Sequence, residues 1–347
     1  VGGSLGAATG KENTCFYGQV IGDQLHVAID LLLDMIVDAN LSSKDLKLER
    51  QVILEEIKMY DDDPEDFAHE TMILNIWRGH PLCRPITGTV ETVSGISAAM
   101  LKEHVRNFYR PERMVISIAG KFDEQRALDQ IARALEKLQP GSIPKSPGVP
   151  ELFPYRAVKH KDIEQAHISI ATNGLKITDD ARYAFAVLDL CLGGNMSSRL
   201  FQEVREKRGL VYSINSFRES HRESGLFGVY AGASPKHVGS VLKLISEEFA
   251  RVKEEGFTEP EIERAKVQMR SELLLGLESM RNRTARNAYG ELFYGRQLTV
   301  EEIVADINRV EESQVRALAN QLLEPQSISL VVVGPSSALK QSYAIPA

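Results

Sequence analysis

Polar and apolar positions partly alternate along "EQAHISIATNG" (164–174), a period of two that predicts a half-buried strand. The period lengthens over "DDARYAFAVLDLCLGG" (179–194), which predicts an apolar helix stopped by Gly193 and Gly194. Ser197 or Ser198 stands where a cap for the helix "SRLFQEVREKR" is needed, and Gly209 ends that helix before the strand "LVYSINSF". A hairpin partner, "GLFGVYAGAS", comes next. Long helices over 235–255 and from Glu259 to about Arg286, then shorter helices and a closing strand "SISLVVVG", complete the half. The order predicts an α+β fold, helices on one face of a mostly antiparallel sheet.

The same order recurs. "LSSKDLKLERQVILEEI" from Leu41 lies over "FTEPEIERAKVQMRSEL" from Phe257, a displacement of 216 positions that sets Ile53 on Met269 and Glu56 on Glu272. Farther on, "ISAAMLKEHVRNFYRPERMVISIAG" lies over "VEESQVRALANQLLEPQSISLVVVG", with Gly120 on Gly334. Two homologous units follow: 1–137, a Pro, Gly and Ser-rich linker at 138–154, and 155–347. The displacement carries the strand at Gln165 to a point before Val1, so roughly fifty or more residues of the first unit are expected upstream.

"LERQVILEEIKMYDDDPED" (48–66) closes a helix that begins near Ser43, with Ser42 or Ser43 as its cap and Asp45 in its first turn. Asp63 and Pro64 have the form of the cap and first position of the next helix. The acidic run therefore reads as helix-end chemistry; it lacks the ligand spacing and central glycine of a calcium loop. Seven positions turn a helix to within about 20° of its starting direction, so Glu49 and Glu56 share a face with Val52 and Ile53 beside them. Two readings of such carboxylates stay open: charged heads at the rim of a core, or ligands in a dry cavity.

Composition narrows the classes. With 347 residues, 43% of them hydrophobic, the chain can bury two cores. A net charge of −7 without a basic stripe excludes nucleic acid as partner and hints at basic peptides. No apolar run is long enough to span a membrane. Three widely spaced cysteines, Cys15, Cys83 and Cys191, read as small buried residues in a reducing, cytoplasmic setting. "GGSLGAATGKENT" fails as a phosphate loop, because three residues separate Gly6 from Gly10 and Glu12 follows Lys11.

With the duplication, "GGSLGAATGKENTCFYGQV", "ERQVILEEIKMYDDDPED" and "LFQEVREKRGLVYSI" in hand, the chain resembles the M16 metallopeptidases, the group of pitrilysin, insulysin and the mitochondrial processing peptidases. The resemblance covers essentially all 347 residues and implies a zinc endopeptidase whose two units close like a clamshell around unfolded or short peptides. It implies zinc held by two histidines of a His-x-x-Glu-His motif and by a later glutamate, which matches Glu56; Glu49 matches the acidic residue that supports the site. Arg205 and Tyr212 match the residues that bind peptide and stabilise the oxyanion. Gly6, Ala7 and Thr9 fall on the strand whose edge pairs with peptide, although Gly6 stands where the family usually has Asn. A homodimer is compatible with two-unit members.

One departure stands out. None of the eight histidines, His26, His69, His80, His104, His160, His167, His221 and His237, begins His-x-x-Glu-His; "HETMI" at His69 lacks the second histidine. Two readings follow: a fragment of an active enzyme whose motif lies upstream, or a non-catalytic peptide-binding or structural subunit of the same fold. The occurrence of Glu49, Glu56, Arg205 and Tyr212 in one chain favours the first.

Overall fold

The computed structural model describes residues 2–141 and 145–338. In chain order the elements are β1 (Ser4–Thr9), β2 (Thr14–Gln19), α1 (Leu25–Val37), α2 (Ser43–Asp62), α3 (Pro64–Ile76), α4 (Val90–Gly95), α5 (Ala98–Phe108), α6 (Glu124–Leu135), β3 (Arg156–His160), β4 (Ala166–Asn173), α7 (Arg182–Leu192), β5 (Val211–Ser220), β6 (Gly225–Ala233), α8 (Val238–Glu255), α9 (Glu259–Gly276), α10 (Met280–Tyr289), α11 (Val300–Asn308), α12 (Glu312–Leu322) and β7 (Ser329–Gly334). They form two compact units, neither contiguous in sequence. One combines the segment ending at Lys58 with Ile86–Ser146 and Gly276–Gln297; the other combines Met59–Pro85, Pro147–Leu275 and the segment from Leu298.

The larger unit is built on a five-stranded sheet of order β3-β7-β4-β6-β5, antiparallel except where β3 joins β7. Ile168 and Ile170 of β4 join one core with Val187, Leu188, Val241, Ile245 and Val315 from α7, α8 and α12, while Ser169 and Ala171 on its other face are buried too, so the strand is covered on both faces and not half-buried as its period predicts. The run "VVV" in β7 is apolar on successive positions because both faces of that strand are covered. Leu330 and Val332 point into the first core, whereas Val331 and Val333 meet Ala68, Met72, Ile73 and Ile76 of α3 on the other. Helices thus lie on both faces, not on one. Met72, Ile73 and Ile76 are fully buried, and each such side chain contributes about 1.5–3 kcal/mol.

Local signals fix the start of α3. Asp63 accepts hydrogen bonds from the Glu65 and Asp66 amides, and Pro64 fills the first position. Ser42 does the same for α2, accepting from the Asp45 amide at 3.1 Å. The expected helix from Glu259 to about Arg286 is instead two: α9 stops at Gly276, and Ser279 caps α10 through the Asn282 amide. Strand β3 was not foreseen; it pairs parallel to β7.

The smaller unit holds the antiparallel pair β1–β2 and a small core in which Ile29 and Leu33 of α1 meet Ala127 of α6. Arg50 of α2 donates to the carbonyls of Val93 and Ile96 at the end of α4. Residues 115–120, which the repeat sets over β7, form no ladder here. Cys83 and Cys191 are buried as expected; Cys15, on β2, is exposed, a correction that follows from the two-stranded sheet around it.

Candidate functional site

In the smaller unit, Glu49 is exposed and Glu56 partly buried on α2, beside the buried Ile57. Neither carboxylate makes a hydrogen bond or ion pair with a described residue. Their common helix is anchored by Arg50, which points from a neighbouring side of α2, about 100° around from the two carboxylates, to the end of α4.

Gly6, Ala7 and Thr9 lie on β1, opposite Tyr17, Phe16 and Thr14 of β2. Among the described residues β1 pairs only with β2, which leaves its other edge unpaired. The glycine at position 6 has a steric cause. A Cβ there would stand 2.6 Å from both Cζ and Oη of Tyr17, whose ring crosses from β2 onto β1. The Arg281 guanidinium of α10 lies over the same ring, 4.5 Å from its centroid.

In the larger unit, Arg205 lies on a π-wound stretch, Phe201–Glu206, with its guanidinium 4.7 Å from the centre of the Phe201 ring. Gly209, at φ +61°, turns the chain back; its amide bonds to the Arg205 carbonyl at 2.9 Å, and the Leu210 amide bonds to the Val204 carbonyl at 3.1 Å. Tyr212 follows in β5, where the register with β6 slips between Val211 and Ser213. That irregularity aims its side chain away from the ladder. Tyr212 is 78% exposed and its hydroxyl bonds to no described residue. Arg205 and Tyr212 thus flank one turn. Asn195 bridges the end of α7 to α9, donating to the Leu190 carbonyl and to Gln268 Oε1.

Two polar clusters on the α3 side of the sheet were not legible beforehand, since their members lie far apart in the chain. His69 Nε2 stands 3.0 Å from Glu219 Oε1, and His221 Nε2 3.7 Å from Glu219 Oε2. Burial pushes the Glu219 carboxyl up, but the two imidazoles outweigh it and hold the group down at about 2. Nearby, His167 Nδ1 meets the Tyr230 hydroxyl at 2.7 Å. Burial and the adjacent Glu65 drive that phenol well above its usual range, and burial likewise raises Glu65 and lowers His167.

Among the described residues no three His, Cys, Asp or Glu side chains stand together as metal ligands. Glu56 therefore supplies one carboxylate without the imidazole partners that zinc would need, and the residues present do not fit a complete site. No helix among the described residues is long and apolar enough to cross a membrane.

The family sequence model for insulinase (peptidase family M16) matches residues 1–90, and that for the peptidase M16 inactive domain matches residues 95–269. An uncharacterized zinc protease of Streptomyces coelicolor is 40% identical over 346 residues, covering 96% of this chain and 74% of its own. YmxG of Bacillus subtilis, also described as an uncharacterized zinc protease, is 36% identical over 97% of this chain and 82% of its own. Among solved structures, the peptidase M16 inactive domain from Pseudomonas fluorescens matches with a TM-score of 0.84 at 19% identity, over 99% of this chain and 82% of that one. A protease from Helicobacter pylori matches with a TM-score of 0.86 at 19% identity, over 96% and 82%. A chain of complex III from Candida albicans matches with a TM-score of 0.83 at 20% identity, over 99% and 84%. The structural likenesses establish the fold, and the sequence matches establish the family: the chain belongs to peptidase family M16.

Proposed function

We propose that the protein is a zinc-dependent endopeptidase acting on unfolded or short peptides in a reducing, cytoplasmic setting. Membership of family M16 and relatives described as zinc proteases support this reading. Within it, Glu56 is a zinc ligand, Glu49 supports it from the same helix face, and the edge of β1 at Gly6, Ala7 and Thr9 receives an extended peptide. Backbone pairing of that kind suits unfolded substrates because it asks little of their side chains. Among the described residues Glu56 alone would hold zinc, whose chemistry at a complete site would be to lower the pKa of a water. Arg205 and Tyr212 orient the peptide carbonyl and donate hydrogen bonds to the oxyanion that develops on it.

The observation that supports this most is Tyr212. Packing gives no reason for a phenol 78% exposed at a slipped strand register, whereas a ligand would. The test is cleavage of internally quenched peptides by the protein as it is made in the cell, loaded with zinc. Y212F should lower kcat by about 10²–10³. E56Q should abolish cleavage together with bound zinc. Wild-type rates from either variant would overturn the assignment.

The match of residues 95–269 to a domain described as inactive favours a second reading, a non-catalytic peptide-binding subunit. Peptide binding with no cleavage by the zinc-loaded protein would establish it.

A further inference from the structure

The edge of β1 carries a glycine at position 6 whose cause is the ring across from it. Position 6 is open in sequence, yet its space is filled: the Tyr17 ring runs across the strand pair and sets Oη 2.6 Å from where a Gly6 Cβ would stand. Of the two unpaired edges of this sheet, the ring therefore leans toward that of β1 and away from that of β2. Behind it, Arg281 stacks on the ring at 4.5 Å and is exposed, and it makes no ion pair with any described residue. A strand added to β1 would run about 4.8 Å away, with the residue opposite Gly6 turned to the face that holds the ring.

We infer that Tyr17 and Arg281 form a peptide-contacting pair that replaces the missing side chain at position 6 and favours an acidic residue on the bound strand opposite Gly6. The inference rests on the reading that β1 receives the peptide. Its chemistry is simple. The phenol offers a donor at the strand edge, and the guanidinium adds five donors and a positive charge that no neighbouring carboxylate consumes. Lying over the ring face restricts the guanidinium, so less freedom is lost when it meets a carboxylate. Although the chain as a whole carries a net charge of −7, this one position is cationic.

The test is fluorescence anisotropy with the 347-residue chain and a labelled extended peptide in which Asp, Ala or Lys is walked through successive positions. At one position alone, Asp should bind two- to fivefold tighter than Lys, the range of an exposed ion pair. R281Q should bring that ratio to about one. Y17F should weaken the Asp peptide by up to about fivefold, the effect of one neutral hydrogen bond. A flat positional profile, or a ratio that R281Q leaves intact, overturns the inference. A parallel series of peptides with N-methylated backbone amides separates the two ideas. Losses at every second residue with no acidic preference sink the pair and keep the β1 edge. An acidic preference that R281Q removes, without that periodicity, sinks the β1 edge as the place where it acts. Absence of binding by every peptide overturns both.

Discussion

His69 of α3 and Glu219 of β5, 150 residues apart in sequence, meet at 3.0 Å and fasten the helix to the sheet. The helix brings Met72, Ile73 and Ile76 onto an apolar sheet face, and the ion pair specifies where along that face it sits. His221 approaches the second carboxylate oxygen at 3.7 Å, too long for a hydrogen bond.

This pairing makes stability depend on pH. The folded carboxyl titrates at about 2, below its ordinary 4.5, so Glu219 stabilises the fold fully above about 4.5 and loses that contribution as pH falls toward 2. E219Q should unfold about 1–3 kcal/mol more easily at pH 7, because it strips partly buried imidazoles of their partner. The gap between E219Q and wild type should narrow below pH 4.5. Thermal unfolding followed across pH 2.5–7.5 measures it, and a gap independent of pH contradicts the assignment.

Arg199 and Glu261 form a two-pronged pair at 2.8 and 2.9 Å, with Arg199 also donating to the Gly256 carbonyl. Burial raises the Glu261 carboxyl, yet Arg199 and Thr258 hold it at about 2. R199M should cost about 3 kcal/mol in urea unfolding, because it leaves a desolvated carboxylate unmatched. Adding E261M to that variant should recover much of the loss. A double variant as unstable as R199M would show that packing around Arg199, not charge, is what counts.

Tyr212 separates stability from function. At 78% exposure, its replacement by Phe or Ala should shift the unfolding free energy by no more than about 0.5 kcal/mol. If Y212A instead unfolds several kcal/mol earlier, Tyr212 is a structural residue and its catalytic role falls.

Zinc gives the most direct check on Glu56. A lone carboxylate binds the ion weakly, so the 347-residue chain should retain well under one equivalent after dialysis against buffer. Tight, equimolar zinc measured by elemental analysis would refute the ligand assignment.

Met72 tests the second core. It is fully buried between α3 and the sheet, and M72A should cost about 2–5 kcal/mol through lost contacts and the cavity left behind. Calorimetric unfolding reads the change directly; a shift below 1 kcal/mol would mean that α3 is not bound to the sheet as described.

Local order along the chain accounts for whatever depends on neighbours a few residues away. The caps at Ser42 and Asp63, the turn at Gly209, the alternation of β4 and the common helix face of Glu49 and Glu56 are all set by backbone geometry and local hydrogen bonding. Long-range packing alone makes α3 cover the second face of the sheet, sets His69 against Glu219 and lays the Tyr17 ring over the space of a side chain at Gly6. These contacts join segments whose separation along the chain carries no periodic signal. Partners of that kind are chosen by shape and desolvation once the sheet has formed, and no local pattern records the choice.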